Sequence, residues 1–264
     1  MDSIIKVENL TKKFNSFLAV NDISFEVKEG EIFGFLGPNG AGKTTTINIL
    51  TTQLKPTKGT AILAGFNVVS DPNNARRCFG IVFQDPSLDL ELTAWENLKF
   101  HAMLYNIPGP KTKKKSKELL EMVGLQGREN TIVKKFSGGM KRRLEVARGL
   151  LHEPRILFLD EPTLGLDPQT RTHIWDYVFK IQKEHKMTIF LTTHSMEEAE
   201  NCTRVAIIDH GKIIVLDTPE QLKKATGTET MNDMFLKITG RDFRDEETYD
   251  AKEKIRQDLK LRNR

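Results

Sequence analysis

The start of the chain consists of short apolar runs separated by Asn/Asp and Glu-Gly turns, a pattern typical of β-strands. The third of these runs leads directly into a glycine-rich loop, after which we expect a helix from Gly42 to about Leu54. In this first third of the sequence we predict strands at Ile4–Leu10, Ile23–Val27, Ile32–Leu36, Thr60–Leu63 and Phe79–Phe83.

The spacing of the apolar residues becomes helical from Leu92 to Leu151 and then returns to strands that alternate with helices. The predicted helices are Thr93–Tyr105, Thr112–Val123, Gly138–Leu151 and Pro168–Lys183. The predicted later strands are Ile156–Leu159, Thr188–Leu191, Arg204–Ile208 and Lys212–Leu216. Alternating strands and helices favour an α/β fold around a mainly parallel sheet, into which a helical subdomain at about 92–151 is inserted.

The last part of the chain differs in composition from the rest. A Gly-Thr linker at Thr226–Thr230 precedes a segment at Met231–Gly240, and 15 of the 24 residues in Arg241–Arg264 are Asp, Glu, Lys or Arg. Such a tail is typical of an exposed helix or a disordered end. We therefore predict one domain at 1–225 and a short accessory segment with a charged tail at 226–264.

Composition excludes several classes of protein. Apolar runs such as Val205–Ile208 are far shorter than the roughly 18 to 20 residues of a membrane span, and the N-terminus lacks the features of a secretory signal. We expect a cytosolic protein. The net charge is +4, and Lys111–Lys117 contains five lysines. No aromatic residue lies among them, which favours a solvated helix start over a nucleic-acid site.

The glycine-rich loop has the spacing Gly37-x-x-x-x-Gly42-Lys43-Thr44 that is typical of a phosphate-binding loop. Backbone N–H groups in such a loop surround a β-phosphate, Lys43 supplies positive charge to the β and γ oxygens, and Thr44 offers a hydroxyl to Mg²⁺. Its position after a strand and before a helix supports this interpretation. The residues expected to contact ATP here are Gly37, Pro38, Asn39, Gly40, Ala41, Gly42, Lys43, Thr44 and Thr45.

A second part of a phosphate site is expected at the end of an apolar strand, Ile156–Asp160. A carboxylate there can hold a metal ion close to the loop. Asp160 is the candidate magnesium ligand. Glu161, one residue later and pointing elsewhere, is the candidate general base that polarises the attacking water.

Together these elements resemble the nucleotide-binding subunit of ABC transporters, in the expected order over about Ile4 to Gly240. The resemblance implies an ATPase with a P-loop NTPase fold, an N-terminal antiparallel β subdomain, and ATP and Mg²⁺ as cofactors. Gln84 matches the glutamine that reaches Mg²⁺ and water, and Ser137-Gly138-Gly139 matches the signature motif. Asp167 matches the aspartate of the dimer-contact loop, and His194 matches the histidine that contacts the γ-phosphate.

Two positions depart from the commonest pattern of this family. Phe14 stands where a tyrosine usually stacks on adenine, and Phe17 competes for that role. Met140 follows the signature glycines in place of glutamine, a variant familiar from drug, polysaccharide and lipid exporters of the daunorubicin-resistance type. Met231–Gly240 resembles the ending of the same group, but a short amphipathic packing segment fits it equally well.

In this family two subunits dimerise head to tail, so that Ser137 of one subunit covers the ATP held by Lys43 of the other. The resemblance implies a second copy or a paralogue as partner. It also implies separate transmembrane permease subunits docked near Gln84 and Asp85–Asn97, which hold the protein at the inner face of the cell membrane.

Two other functions stay open as alternatives. A soluble ABC ATPase acting on ribosomes or nucleic acid is disfavoured. Ribosome-associated members of the family usually carry two cassettes, and this chain has one. DNA-repair members have a long coiled coil between the two halves, whereas Gln84 and Ser137 are only 53 residues apart. A non-hydrolysing regulatory subunit is disfavoured because every catalytic position is filled. No nucleic-acid partner is expected. The leading hypothesis is the ATP-hydrolysing subunit of a membrane exporter.

Overall fold

The computed structural model describes residues 2–240, so the predicted charged tail at 241–264 lies outside the described residues. The strands are β1 (Ser3–Phe14), β2 (Phe17–Lys28), β3 (Ile32–Leu36), β4 (Lys58–Leu63), β5 (Phe66–Asn67), β6 (Phe79–Val82), β7 (Ile156–Asp160), β8 (Thr188–Thr193), β9 (Arg204–Asp209) and β10 (Lys212–Asp217). The helices are α1 (Lys43–Leu50), α2 (Pro72–Arg77), α3 (Ala94–Leu104), α4 (Gly109–Met122), α5 (Gly138–Leu150), α6 (Pro168–His185), α7 (Met196–Glu200), α8 (Pro219–Thr226) and α9 (Met231–Thr239).

The larger sheet has the strand order β10-β9-β3-β8-β7-β6, in which only β10 pairs antiparallel with its neighbour. Strands β3, β7 and β8 are buried along their whole length, as parallel strands covered on both faces are. The register pairs Leu36 with Thr193 and Asp160 with Thr192. The carboxyl ends of these three central strands therefore lie side by side at one edge of the sheet.

A second, antiparallel sheet has the order β2-β1-β4-β5 and comes from the first part of the chain. Strands β1 and β2 form a hairpin that closes on the pair Phe14 and Phe17, with Asn15 in a left-handed conformation at the turn. Asn tolerates that backbone region better than most residues. The α/β fold with a mainly parallel sheet and an N-terminal antiparallel sheet is confirmed.

The two faces of the larger sheet belong to two apolar cores. Alternate residues of a strand point to opposite faces, so Ile156 and Phe158 enter one core while Leu157 and Leu159 enter the other. The core between the sheets contains a group of aromatic rings with centroids 5.4 to 6.1 Å apart. Each fully buried ring stabilises the fold by about 1.5–3 kcal/mol. The strand ends that carry the polar residues thus stand on a closely packed base. The rings are Phe25, Phe33, Phe35, Phe158 and Phe190.

Helices α3, α4 and α5 form the predicted helical stretch. The side chain of Thr93 and that of Glu96 cap α3 reciprocally, which fixes its start. Helix α4 begins at Gly109, three residues before the predicted start, because Pro110 lies in its first turn, where a missing N–H costs nothing. Helix α1 ends at Leu50 rather than Leu54, since Thr52 adopts a left-handed conformation.

The predicted division of the chain at 225/226 stays a prediction. Helix α9 buries Met231, Met234 and Phe235 in the same core that receives the side chains of α5 and α6. The segment Met231–Gly240 therefore packs onto the main body of the protein. Among residues 2–240, none of the helices has the length and the apolar composition that crossing a membrane requires.

Candidate nucleotide site

The loop between β3 and α1 can be built only with glycine at two positions. A Cβ atom on Gly37 would lie 2.2 Å from the carbonyl oxygen of Ile208, and one on Gly42 would lie 2.5 Å from the carbonyl oxygen of Ala19. Gly42 also has φ of 108°, a conformation that other residues rarely adopt. The loop is thus held against β2 and β9.

Lys43 occupies the centre of this loop. Its ammonium donates hydrogen bonds to the carbonyl oxygens of Gly37 at 2.7 Å and Pro38 at 3.1 Å. The same atom lies 3.5 Å from Glu161 Oε1, and the side chain is only 5% exposed. A fixed, buried positive charge therefore stands between the loop and the end of β7.

Asp160 is the last residue of β7 and is buried. Its carboxylate accepts a hydrogen bond from the hydroxyl of Thr192, its register partner on β8. Burial raises the pKa of Asp160, and the hydrogen bond from Thr192 only partly opposes this. A buried carboxylate in this state gains from a nearby cation, so the side chain suits a metal ion.

Glu161 follows directly and turns away from the strand, with φ of 46°. Its N–H group donates to the carbonyl oxygen of Thr192 at 3.1 Å. Burial alone would raise the pKa of Glu161, but a hydrogen bond with His194 and the charge of Lys43 together lower it. His194 Nδ1 lies 3.5 Å from Glu161 Oε2. The carboxylate is therefore ionised near neutral pH, as a general base must be.

Lys43 and Glu161 line a cleft of about 250 Å³. Gln84, which lies far from the loop in the sequence, reaches the cleft from the segment after β6. The residues that line it are Phe17, Ala19, Pro38, Asn39, Gly40, Gly42, Lys43, Thr44, Thr45, Gln84 and Glu161. We refer to these residues, together with Asp160 and His194, as the phosphate half of the site.

The aromatic residue at this cleft is Phe17 and not Phe14, the residue expected from the sequence. Phe17 is 62% exposed and lines the cleft, whereas the ring of Phe14 lies under the ammonium of Lys12 at 4.9 Å. Positions 17 and 19 share one face of β2, and Ala19 lines the same cleft. The alternation of the strand therefore selects Phe17, which the sequence left open as a competitor.

The signature residues lie elsewhere on the surface. Ser137 caps α5, its hydroxyl accepting from the N–H of Met140 at 3.3 Å. Ser137 and Gly138 are exposed, and a Cβ atom on Gly138 would meet only Leu166 at 3.9 Å. None of Ser137, Gly138 and Gly139 is among the described residues that line the cleft. The start of α5 is open to an anion. It lies outside the cleft that the chain's own glycine-rich loop forms.

Asp167 lies beside this helix start. Its carboxylate accepts from the N–H of Thr170 at 2.9 Å and from the Thr170 hydroxyl at 2.7 Å, and these bonds lower the pKa of Asp167. A Cβ atom on Gly139 would come within 2.5 Å of the Thr170 methyl group. The exposed group formed by Ser137, Gly138, Gly139 and Asp167 is the signature half of the site.

Two residues that the sequence did not single out support the phosphate half. Thr192 holds both Asp160 and Glu161, and aligning the ends of the predicted strands could have revealed it. Arg142 is buried and donates to backbone carbonyl groups near Glu161, in a run of three basic residues from Lys141 to Arg143. Its helical position, four residues before the buried Val146, is the signal that pointed inward.

Comparison with known proteins accounts for this arrangement. A family model described as ABC transporter matches residues 20–164. The chain belongs to the ABC transporter family. It is 40% identical over 247 residues to the doxorubicin resistance ATP-binding protein DrrA of Mycobacterium tuberculosis, covering 92% of this chain and 73% of that protein. It is 40% identical over 229 residues to the linearmycin resistance ATP-binding protein LnrL of Bacillus subtilis, covering 86% and 73%.

A solved structure agrees with the sequence relatives. The dimeric structure of a post-hydrolysis state of the ATP-binding cassette MJ0796, bound to ADP and Pi, superposes with a TM-score of 0.72 at 29% identity. The match covers 81% of this chain and 98% of that one. The ABC protein described here is thus a nucleotide-binding ATPase subunit of a transporter, a class that works with membrane permease components.

Proposed function

We propose that this ABC ATPase hydrolyses MgATP at a site shared between two subunits, and thereby powers export through separate transmembrane permease subunits at the inner face of the cell membrane. The proposal rests on one observation. Lys43, Glu161 and His194 lie together at one edge of the larger sheet, while the start of α5 is exposed and lies outside the cleft. Export itself rests on the resistance proteins to which the chain is similar.

The phosphate half supplies the groups that bind the nucleotide. The N–H groups of the loop surround the β-phosphate, and Lys43 exchanges its carbonyl partners for phosphate oxygens. Phe17 offers its ring to the adenine. Oxygen donors on Asp160, Thr44 and Gln84 fit Mg²⁺, which prefers carboxylate, hydroxyl and carbonyl ligands. When bound, Mg²⁺ would neutralise charge that develops on the phosphates.

Hydrolysis then depends on Glu161. Its ionised carboxylate takes a proton from the attacking water as the water oxygen bonds to the γ-phosphorus and the bond to the β-phosphate oxygen breaks. His194, whose Nδ1 lies 3.5 Å from Glu161 Oε2, holds the carboxylate in place, and its proposed second role is a contact with the γ-phosphate. Gln84 orients the same water.

The signature half completes the site of a second copy of the chain or of a paralogue. Ser137, Gly138 and Gly139 present the N-terminus of α5, whose N–H groups and dipole attract phosphate oxygens. Asp167 lies beside them at the proposed contact between subunits. The dimeric structure of MJ0796 supports this arrangement. Closure of the dimer on ATP and opening after hydrolysis would be the power stroke.

The permease contact is proposed near the segment that carries Gln84. The following helix, α3, exposes Phe100, Met103 and Leu104, each by 60% or more of its surface. Three large apolar side chains on one exposed helix form the kind of patch that marks a protein contact. The proposed docking surface is thus Asp85–Asn97 together with these three side chains.

The positions of two residues bear on the match to the exporter branch. Met140 is partly buried against the core that contains α5, so this variant of the signature keeps Ser137 and the two glycines free. Phe235 of α9 is almost fully buried. That burial supports a packing role for the segment, so the match to the exporter ending rests on sequence alone.

Replacing Glu161 with Gln tests the proposed chemistry. The amide keeps the shape of the side chain but cannot accept a proton, so kcat should fall by about 10²-fold or more. The affinity for ATP should stay within about threefold, and gel filtration with MgATP should detect a stable dimer. The matched control is Glu153→Gln, which changes an exposed carboxylate remote from the cleft. Unchanged turnover of the Glu161 variant would refute the role of this base.

A second experiment tests the partners. We expect the protein to co-purify with a transmembrane protein from detergent-solubilised membranes, and the triple variant F100S/M103S/L104S to lose this partner while its ATPase rate stays within about twofold. Recovery with ribosomes and without a membrane protein would favour the alternative of a soluble ABC ATPase.

A further inference from the structure

Arg142 lies in the second turn of α5, only 7% exposed, and is surrounded by backbone carbonyl groups. Its Nε donates to the carbonyl oxygen of Pro162 at 2.8 Å. Its Nη2 donates to those of Asp160 at 3.0 Å and Glu161 at 3.2 Å. Its Nη1 donates to the carbonyl oxygen of Phe83 and to Glu145 Oε2. All five N–H donors of the guanidinium are therefore used.

Burying the guanidinium of Arg142 costs free energy, so packing alone does not account for it. Burial lowers the pKa of Arg142, and the carboxylate of Glu145 opposes that effect. A buried cation costs several kcal/mol to remove from water, and well-packed apolar residues often replace such pairs without loss of stability. Four of the five acceptors are carbonyl groups of two catalytic segments, which points to control of the backbone there.

The segments held by Arg142 carry two of the proposed catalytic residues. Glu161 adopts φ of 46°, a backbone conformation unusual for a residue with a side chain, and its carbonyl group is fixed by the guanidinium. Phe83 directly precedes Gln84. A single side chain of α5 thus sets the path of the main chain on both sides of the cleft.

The same face of α5 holds the far end of the Gln84 segment. Glu145 accepts from the N–H of Ser87 at 2.7 Å, and Arg148 Nη1 donates to the carbonyl oxygen of Ser87 at 2.6 Å. Residues 142, 145 and 148 follow one another at spacings of three, so they lie along one side of the helix. The segment from Phe83 to Ser87 is therefore fixed to α5 at both of its ends.

We propose that Arg142 is a positioning residue for ATP hydrolysis, which ties the signature helix α5 to the backbone of Glu161 and to the segment that carries Gln84. A displacement of α5, whose start is the signature half, then moves the general base and the water-orienting glutamine together. The inference rests on the roles proposed above for Glu161 and Gln84. It assigns to Arg142 no contact with the nucleotide.

Arginine suits this role better than lysine. A planar guanidinium reaches acceptors in several fixed directions, whereas one ammonium can satisfy only some of these five acceptors. Lysine at this position should therefore keep the charge and part of the geometry. Glutamine should keep a polar side chain but lose most of the donors and the charge.

The experiment compares Arg142→Gln and Arg142→Lys in the purified full-length protein. Misplacement of reacting groups by about 1 Å can cost 10²-fold, so kcat should fall by about that factor for Arg142→Gln and by roughly tenfold for Arg142→Lys. KM and the affinity for a fluorescent ATP analogue should change by less than about threefold, since the loop that binds phosphate is untouched.

Arg143→Gln is the matched control. Arg143 is the next residue of α5 and also donates to backbone carbonyl groups, those of Val123 and Gly124, but these lie far from the cleft in the helical stretch. Its kcat should stay within about twofold of the parent protein. An equal fall of kcat for Arg143→Gln would mean that loss of any such anchor disturbs hydrolysis, and would overturn the proposal.

A combination with Glu161→Gln decides the matter if Arg142→Gln does not fold. If Arg142 acts through Glu161 and Gln84, adding Arg142→Lys to a variant that carries both Glu161→Gln and Gln84→Ala should lower the residual rate by less than about twofold, because the effects of residues that act as a unit are not additive. A further full tenfold fall, or a normal kcat for a folded Arg142 variant, would refute the inference. An unchanged rate for Glu161→Gln alone would instead refute the proposed general base.

Discussion

The phosphate half and the signature half differ in how far this one chain completes them. In the phosphate half, polar side chains are buried and already have partners: Lys43 reaches two carbonyl oxygens and Glu161, and Asp160 accepts from Thr192. In the signature half, Ser137 and Gly138 are exposed, and the hydroxyl of Ser137 accepts only the N–H of Met140 at the start of α5.

The difference follows from the elements that carry each half. Parallel strands end side by side, so a sheet edge brings residues from distant parts of the sequence together within one chain. A helix start presents its N–H groups outward, toward whatever approaches. The phosphate half is consequently assembled within one chain, whereas under the proposed function the signature half acts only when a second subunit supplies the nucleotide.

Complementation between two inactive variants tests this contrast most strongly. Lys43→Ala removes the charge of the phosphate half, and Gly138→Asp adds a negative charge to the signature half, so each alone should lower the ATPase rate by about 10²–10³-fold. If the halves belong to different copies, a mixed dimer has one intact site. An equimolar mixture should then regain about a quarter of the parent rate, since half of the dimers are mixed.

The ATPase rate of the mixture, measured against its ratio of the two variants, is the readout. Recovery should be greatest at equal amounts and should vanish when either variant is absent. A mixture as inactive as its components, although both variants fold and dimerise, would break the contrast and favour a site completed within one chain.

Replacing one glycine of each half with alanine compares how tightly the two halves are packed, through the free energy of unfolding. Gly37→Ala forces a Cβ atom to within 2.2 Å of the carbonyl oxygen of Ile208, so the free energy of unfolding should fall by about 2–3 kcal/mol. Gly138→Ala meets only Leu166 at 3.9 Å, in a helical position where alanine is preferred by up to about 1 kcal/mol. Its stability should be unchanged or higher, while its ATPase rate falls.

Urea unfolding of both variants provides the measurement, with the ATPase rate determined alongside. If only the Gly37 variant loses stability, Gly37 is required by the fold and Gly138 is required by the activity. Equal losses of stability would show that the signature half is as tightly built as the phosphate half.

The smallest expected effect comes from a residue outside both halves. Hydrogen bonds from Lys111 and Lys115 lower the pKa of Glu153 from its usual 4.5 to about 2. This ion pair therefore stabilises the fold above pH 4.5, and the contribution is lost as the pH falls toward 2. Glu153 is half exposed, so solvent and salt limit it to less than about 1 kcal/mol.

The measurement is the difference in unfolding free energy between the parent protein and Glu153→Gln at pH 7 and at pH 3.5. The difference should shrink at the lower pH, and the ATPase rate should not change. A difference that grows on acidification would contradict the assigned direction of the pKa shift.

Most of the sheet could be predicted from the sequence because its strands are short, apolar and bounded by turns. The run Ile32–Leu36 is a strand with those same bounds, and the helix predicted from Gly138 ends one residue from the observed end. Small elements such as α2 and β5 were missed, since six and two residues carry too little periodicity. The strand order was also beyond the sequence pattern, because pairing between β3 and β8 depends on contacts across the whole chain.

The phosphate half could be predicted where a motif fixes the backbone, and less well where a side chain only has to reach the cleft. The spacing from Gly37 to Thr44 determines a loop, and the strand before Asp160 determines its position at the edge. The choice between Phe14 and Phe17 depends instead on the twist and register of a hairpin. Arg142 was missed because arginine is usually exposed, although its spacing of four residues from Val146 places it on the inward face of the helix.

The exposed ring of Phe17 at the tip of the first hairpin has a consequence for the choice of nucleotide. A ring face interacts with the flat surface of any base and does not distinguish the donors and acceptors along its edge. Ala19, which has no hydrogen-bonding side chain, lines the cleft beside it. We therefore expect GTP to be accepted nearly as well as ATP, so that the relative abundance of the two triphosphates in the cell, rather than molecular discrimination, decides which one drives the protein.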